Sequence, residues 1–200
     1  MIEIVGDMWK AGVNYDAVCI TTNGAIRKSD GCAVMGRGCA KDAAKLWSDI
    51  PRILGDLIQE NGNVVQLLKV VMMPPGLRCA TFVKTVQMVS FPVKPGFVIP
   101  LNTKGTFDPA DQAAVNDCVV THMRGRFKPG EKIPGWACLA DPHLIEDSAR
   151  QLVYLTTKKG WHKVLLPRPG CGAGEIRWED IGPILRPILD DRFTVISRKL

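Results

Sequence analysis

The sequence predicts an α/β fold on a mostly parallel sheet. Two observations carry this. Short apolar runs of strand character alternate with longer runs at helical spacing, and glycine-rich stretches fall where strands give way to helices. The length of 200 residues suits one domain with a sizeable core. A hydrophobic fraction of 46% with 23% charged residues is ordinary for a globular chain, which excludes disorder and coiled coil.

Taken in order, residues 2–5 read as an opening strand. Residues 16–20, DAVCI, read as a buried one that ends at the turn sequence TTNG. Residues 39–47 and 51–60 have helical spacing. Residues 64–71, 80–83 and 86–91 look like strands separated by Pro and Gly. A helix is expected over 108–123, with Asp108 as cap and Pro109 in its first turn. The clearest helix is 141–159: Asp141 caps it, Pro142 opens it, Leu144, Ile145, Ala149, Leu152, Val153 and Leu155 form its apolar stripe, and Gly160 stops it. A strand at 163–166, a glycine-rich loop, a helix at 178–190 and a strand at 194–197 complete the chain.

Charge and cysteine usage narrow the partners. The net charge is +6, which favours anions such as nucleic acid, phosphorylated metabolites or a membrane surface. The seven cysteines form no CxxC pair and have no histidine at ligand spacing, so neither a disulfide framework nor a metal site is expected. Reduced thiols and an amino terminus without a basic, then apolar, leader fit a cytoplasmic protein. The longest apolar stretch, 64–77, is broken by Lys69, Pro74 and Pro75, so no membrane span is expected. His122, His143 and His162 sit in no motif.

In parallel α/β sheets, ligands bind beyond the carboxyl ends of the strands, so the loops there are the candidates. The first follows DAVCI and carries Gly31, Gly36 and Gly38 before a helix. Glycines at such a place let backbone N–H groups approach an anion, and the helix dipole helps. The loop is neither a Walker A motif, since Arg37 and Gly38 follow Gly36, nor GxGxxG, since Lys41 takes the last position. Geometry alone explains these glycines equally well. The second loop carries Gly170, Gly172 and Gly174, and Glu175 stands where GxGxxG needs a glycine. Alternating glycines of this kind can form a nest of donors around a phosphate. Two such loops suit a diphosphate. A third loop, SFPVKPGF, holds Lys94 between Pro92 and Pro95.

Several motifs, in order, resemble those of macrodomains. Val5-Gly6-Asp7-Met8 is similar to the family's GDI segment, and DAVCITTN to its DAIVNAAN strand. GCAVMGRGCAKDA, SFPVK and PGCGAGEIRW resemble GVMGKGIA, NFPTK and LGCGLGGLxW of the antitoxin branch, which removes ADP-ribose from thymidine bases in DNA. The terminal ADP-ribose protein glycohydrolase shares this branch. The resemblance covers 1–101 and 141–200. It implies a three-layer α/β/α sandwich with a mixed, mostly parallel central sheet, and a pocket for ADP-ribose or an ADP-ribosylated protein or nucleic acid, with no cofactor and no metal.

Residue by residue, the resemblance implies that Asp7 accepts from the adenine amino group with help from Met8, and that Asn23 bonds the distal ribose. Gly31, Cys32, Ala33, Val34, Met35, Gly36 and Gly38 would wrap the diphosphate from one side. Gly170, Cys171, Gly172, Ala173, Gly174, Glu175 and Ile176 would wrap it from the other. Lys94 aligns with the catalytic lysine, which implies hydrolysis at the anomeric carbon. Binding without chemistry, or phosphatase action on ADP-ribose 1″-phosphate, are the alternatives. A reactive lysine must be partly neutral, through burial or neighbouring cations, with Arg168 and Arg177 as candidates.

The chain departs from the pattern in places. Ile20 stands where an asparagine is usual. Gly174 stands where the glycohydrolase has its aspartate, and Pro95-Gly96-Phe97 does not follow the antitoxin pattern. Residues 102–140 are expected to be an insertion within a single domain: a loop, a helix and a second loop. Their Lys104, Arg124, Arg126, Lys128 and Lys132 make them basic, and their position after the lysine loop could let them rim the pocket.

Overall fold

The computed structural model describes residues 1–72, 86–100 and 112–198. Among the described residues the strands are β1 (Ile2–Val5), β2 (Ala17–Asn23), β3 (Gln66–Met72), β4 (Val86–Lys94), β5 (Phe97–Val98), β6 (Ile133–Pro134), β7 (Val164–Pro167) and β8 (Phe193–Ser197). The helices are α1 (Met8–Ala11), α2 (Gly38–Leu46), α3 (Ile50–Asn61), α4 (Gln112–Cys118), α5 (Pro142–Lys159) and α6 (Trp178–Leu185).

Six strands form the central sheet in the order β1-β8-β7-β2-β4-β3, and β5 and β6 form a separate two-stranded antiparallel sheet. Every pair from β1 across to β4 is parallel. Only β3, at the edge, runs antiparallel. The expected mixed, mostly parallel α/β/α sandwich is what forms.

Strand alternation builds the two helical layers. Ala17 and Cys19 of β2, Val89, Phe91 and Val93 of β4, and Val164 and Leu166 of β7 face one core, shared with α5 and α6. The residues between them (Val18, Ile20, Met88 and Leu165) face the other core, shared with α2 and α3. This is the two-residue period of a strand buried on both faces. A small third core lies under residues 115–138 and is centred on Val119, Ile133 and Ala137.

The ends of α5 match the sequence expectation. Asp141 Oδ1 accepts from His143 N at 2.9 Å and Leu144 N at 3.3 Å, and Gly160 closes the helix at φ 65°. Three expectations need correction. The 86–91 strand runs on through Pro92 to Lys94. The missing proline N–H is absorbed by a register shift opposite Thr22 and Asn23, so Lys94 ends a strand rather than sitting in a loop. The helix expected over 108–123 spans only Gln112–Cys118 among the described residues, because Val119 bridges to Cys138 and Thr121–Met123 is a separate 3₁₀ turn. The last helix stops at Leu185 rather than 190, two residues before Pro187. The strand expected at 80–83, the Asp108–Pro109 helix start, Lys104 and Cys79 lie outside the described residues. α1, β5 and β6 are too short to have given a periodic signal.

Among the described residues, no helix is long and apolar enough to cross a membrane. No described group of His, Cys, Asp and Glu could hold a metal ion.

Candidate functional site

The carboxyl ends of β1, β2, β4, β7 and β8 open into one cleft of about 840 Å³. Its walls carry five cationic side chains (Arg37, Lys94, Arg126, Arg168 and Arg198) together with His122, and no carboxylate among the described residues. A cleft with one sign of charge and low-dielectric walls focuses its field on an anion.

The backbone on both sides of Lys94 is tied to other parts of the fold. Four successive carbonyls around it are pinned by different partners. Ser148 Oγ donates to Pro92 O at 2.8 Å, Asp141 N to Val93 O at 2.9 Å, Asn63 Nδ2 to Lys94 O at 2.9 Å and Gly24 N to Pro95 O at 3.3 Å. The lysine side chain is only 6% exposed. Its Nζ donates to Ala173 O, in the second glycine loop, at 2.6 Å. Burial lowers its pKa to about 8, against opposing pulls from Cys138 and Glu175 and with a further lowering from Arg37. The cation that helps is therefore Arg37, not Arg168 or Arg177. Arg168 pairs with Glu3 and lies over the Trp178 ring, and Arg177 pairs with Asp180.

The first glycine loop divides in two. Its early part is turned into scaffold. The amides of Gly31, Cys32, Ala33 and Val34 are bonded to Arg27 O, Asp30 Oδ1, Pro51 O and Ala25 O. Gly31 adopts φ 71°, and its carbonyl lies against Gly55 of α3, where no Cβ would fit. The amides of Met35, Gly36, Arg37 and Gly38 have no hydrogen bond to any described residue, and all four residues line the cleft, with Val34 beside them. Among the described residues, the amides of this loop left without a partner are thus those of 35–38. Gly31, Cys32 and Ala33 lie outside the cleft wall.

The second loop divides similarly. Gly170, Cys171, Gly172, Ala173 and Gly174 line the cleft. The amides of Gly172, Ala173 and Gly174 have no partner among the described residues, whereas those of Glu175 and Ile176 turn back to Gly172 O and Gly170 O. Glu175 and Ile176 are not in the cleft wall. The Glu175 carboxylate instead reaches Thr121, accepting from its N at 2.9 Å and its Oγ1 at 2.7 Å.

Asp7 and Asn23 both have structural partners. Asp7 Oδ1 caps α1 by accepting from Trp9 N at 2.9 Å and Lys10 N at 3.3 Å. Asp7 lies outside the cleft wall, which Met8 joins. Asn23 lines the cleft, and its amide ties β2 to the first loop by donating to Val34 O at 2.8 Å and accepting from Ala25 N at 2.9 Å. One N–H of that amide remains for a ligand.

Several wall residues were not foreseen. Arg37 had a visible signal, a cation between two loop glycines. Thr21 and Cys39, joined by a 3.3 Å N–H···S contact, had none. His122, Met123, Arg126 and Trp136 come from the basic segment after the lysine and do rim the pocket.

The matches are to solved structures. A Thermosipho africanus DarTG solved in complex with ADP-ribose superposes with a TM-score of 0.64 at 16% identity, over 98% of this chain and 41% of that one. The macrodomain of Mycobacterium tuberculosis DarG gives 0.56 at 13% identity, covering 97% of each chain. That of Thermus aquaticus DarG gives 0.57 at 15%, covering 98% of this chain and 96% of that one. The fold is that of a macrodomain. This chain spans about two fifths of the DarTG chain and nearly the whole of the two DarG domains. No protein-family model matches the sequence, and no curated protein does.

Proposed function

We propose that this macrodomain binds ADP-ribose and hydrolyses its bond to an acceptor on nucleic acid or protein, with Lys94 as the reacting group. The observation that carries the reading is the cleft itself. Two sets of backbone amides without a partner among the described residues, 35–38 and 172–174, border the same cationic space, and a buried lysine with a pKa of about 8 lies on its wall. Backbone donors at strand-to-helix turns suit a diphosphate. The ADP-ribose in the Thermosipho africanus neighbour supplies the candidate nucleotide.

In the chemistry, the neutral Lys94 amine gives its lone pair to the anomeric carbon of the distal ribose. The bond from that carbon to the acceptor breaks, and the acceptor leaves with the electron pair and takes the proton that the newly bonded nitrogen sheds. Water then attacks the same carbon, its hydroxyl staying on the ribose and its proton passing to the nitrogen as the carbon–nitrogen bond breaks, which releases ADP-ribose and restores the amine. The pinned strand end supports this by fixing the lysine before substrate arrives.

A second reading is a binding module. The Lys94–Ala173 hydrogen bond favours it, since a lysine engaged with a loop carbonyl also stabilises an empty cleft. Calorimetry with ADP-ribose, run beside turnover of ADP-ribosylated DNA, ADP-ribosylated protein and ADP-ribose 1″-phosphate, separates the readings. Binding with no turnover on the panel would leave only the module, and no binding would remove both.

A further inference from the structure

Glu175 is out of place for a member of a glycine loop. It is a non-glycine residue at φ 60°, in the left-handed region that side chains disfavour. Its carboxylate does not line the cleft. It crosses to a segment 54 residues away and accepts two N–H contacts from Thr121, at 2.9 and 3.1 Å, and a hydroxyl at 2.7 Å. Thr121 opens the 3₁₀ turn Thr121–Met123, and His122, Met123 and the following Arg126 are cleft wall. A second tie runs alongside, with Ala140 N donating to Gly174 O at 2.9 Å.

We propose that Glu175 is a positioning residue: its clasp on Thr121 holds the 121–126 wall against the second glycine loop and thereby sets the shape and charge of the cleft around Lys94. The inference deepens the ADP-ribosyl hydrolase reading and rests on it for its consequence, though not for its geometry. The strained backbone fits this role, because the left-handed turn at 175 is what aims the carboxylate away from the ligand loop.

The electrostatics agree with the geometry. Burial disfavours the Glu175 charge, and the Thr121 hydrogen bonds, with His122 and Lys94 nearby, outweigh it and hold the carboxyl below its usual range. Reciprocally, Glu175 and Cys138 raise the pKa of Lys94, while burial and Arg37 lower it. Removing the Glu175 charge should therefore make the lysine easier to deprotonate.

The test needs no substrate. Hydrogen exchange over 121–126, and the pH dependence of Lys94 labelling by an amine-reactive reagent read by mass spectrometry, are compared in wild type, Glu175→Ala, Glu175→Gln and Thr121→Ser. Loss of bonds to a charged acceptor should speed exchange in the 121–126 segment by about tenfold or more in Glu175→Ala, with a smaller rise in Glu175→Gln. Both variants should move the Lys94 labelling midpoint to lower pH. Thr121→Ser keeps both donors and should match wild type. Unchanged exchange in both Glu175 variants, or an unmoved Lys94 midpoint, overturns the inference. Shifted exchange and labelling in a protein that hydrolyses none of the ADP-ribosyl substrates would leave it standing and remove the hydrolase reading instead.

Discussion

Lys94 and Ala173 are 79 residues apart, yet the lysine Nζ donates to the alanine carbonyl at 2.6 Å. The bond joins the end of β4 to the second glycine loop at the point where that loop's amides have no partner among the described residues. It also uses one of the ammonium's three donors in a buried place. The loop that would receive a ligand is therefore in direct contact with the group that would act on it.

Substitution of Lys94 should separate binding from chemistry. Lys94→Ala is expected to bind ADP-ribose within a few-fold of wild type and to lose turnover by about 100-fold or more, the scale of losing a positioned nucleophile or base. Lys94→Arg keeps the charge but has no accessible neutral form, so it should be as inactive as the alanine variant. Single-turnover rates beside calorimetry decide this. An active arginine variant would mean that the lysine serves as a fixed cation.

The pH dependence has a definite sign. With a folded pKa of about 8, roughly a tenth of Lys94 is neutral at pH 7. Turnover through the neutral amine should rise with pH up to about 8 and then level off. Arg37→Ala removes a cation that lowers this pKa, so its midpoint should move upward. Stability is linked to the same shift. Because the folded pKa is depressed from 10.5 to about 8, the folded state disfavours the lysine charge, and that penalty is present in full below pH 8 and fades as pH rises to 10.5. Relative to Lys94→Met, wild type should gain about 3 kcal/mol over this window, since each pH unit of displacement is worth about 1.4 kcal/mol. Urea denaturation of both proteins at pH 7 and pH 10.5 measures the gain.

How much was legible in the sequence depended on how local the cause was. The cap at Asp141 and the stop at Gly160 sit beside the helix they bound, and both read correctly. DAVCI read as buried because strands covered on both faces are continuously apolar. The division of each glycine loop into scaffold and donors was not legible, because it is decided by distant partners: Pro51 O takes the Ala33 amide, and Thr121 takes the Glu175 carboxylate. The same holds for Asn23, which was read for its chemistry and turns out to bond two backbone groups nearby. Motif spacing identified which loops meet at the cleft, but could not say which of their atoms are already engaged.

Gly36 tests the assignment of donors within the first loop. A Cβ there meets nothing within 4 Å, so Gly36→Val should fold without strain. The residue lines the cleft, however, and a branched side chain would hold an anion away from the neighbouring amides. We expect ADP-ribose affinity to weaken by about tenfold or more, the worth of hydrogen bonds to a charged group, with Tm unchanged within about two degrees. Cys32→Ala, whose amide is already bonded to Asp30, should leave the affinity as it is. Equal losses at the two positions would contradict the division of the loop.

Gly174 marks the point where this chain parts from a two-residue lysine and aspartate mechanism. A Cβ at this position would lie 2.5 Å from Gly170 O and 2.6 Å from Ala140 Cβ, and neither can swing aside as a long side chain would. Gly174→Ala should therefore destabilise the domain by about 1–3 kcal/mol, the usual cost of overpacking, and weaken ADP-ribose binding by displacing the 172–174 amides. Gly174→Asp should be worse and should add no activity, because the backbone must move before the carboxylate can reach the cleft. Adding Ala140→Gly removes one of the two clashes, so the Ala140→Gly/Gly174→Ala pair should recover part of the lost stability and no more, since the Gly170 carbonyl remains. Urea denaturation of the three variants checks the order. A Gly174→Ala protein as stable as wild type would mean that the loop has room for a side chain, and that an acidic partner for Lys94 is missing for reasons other than space.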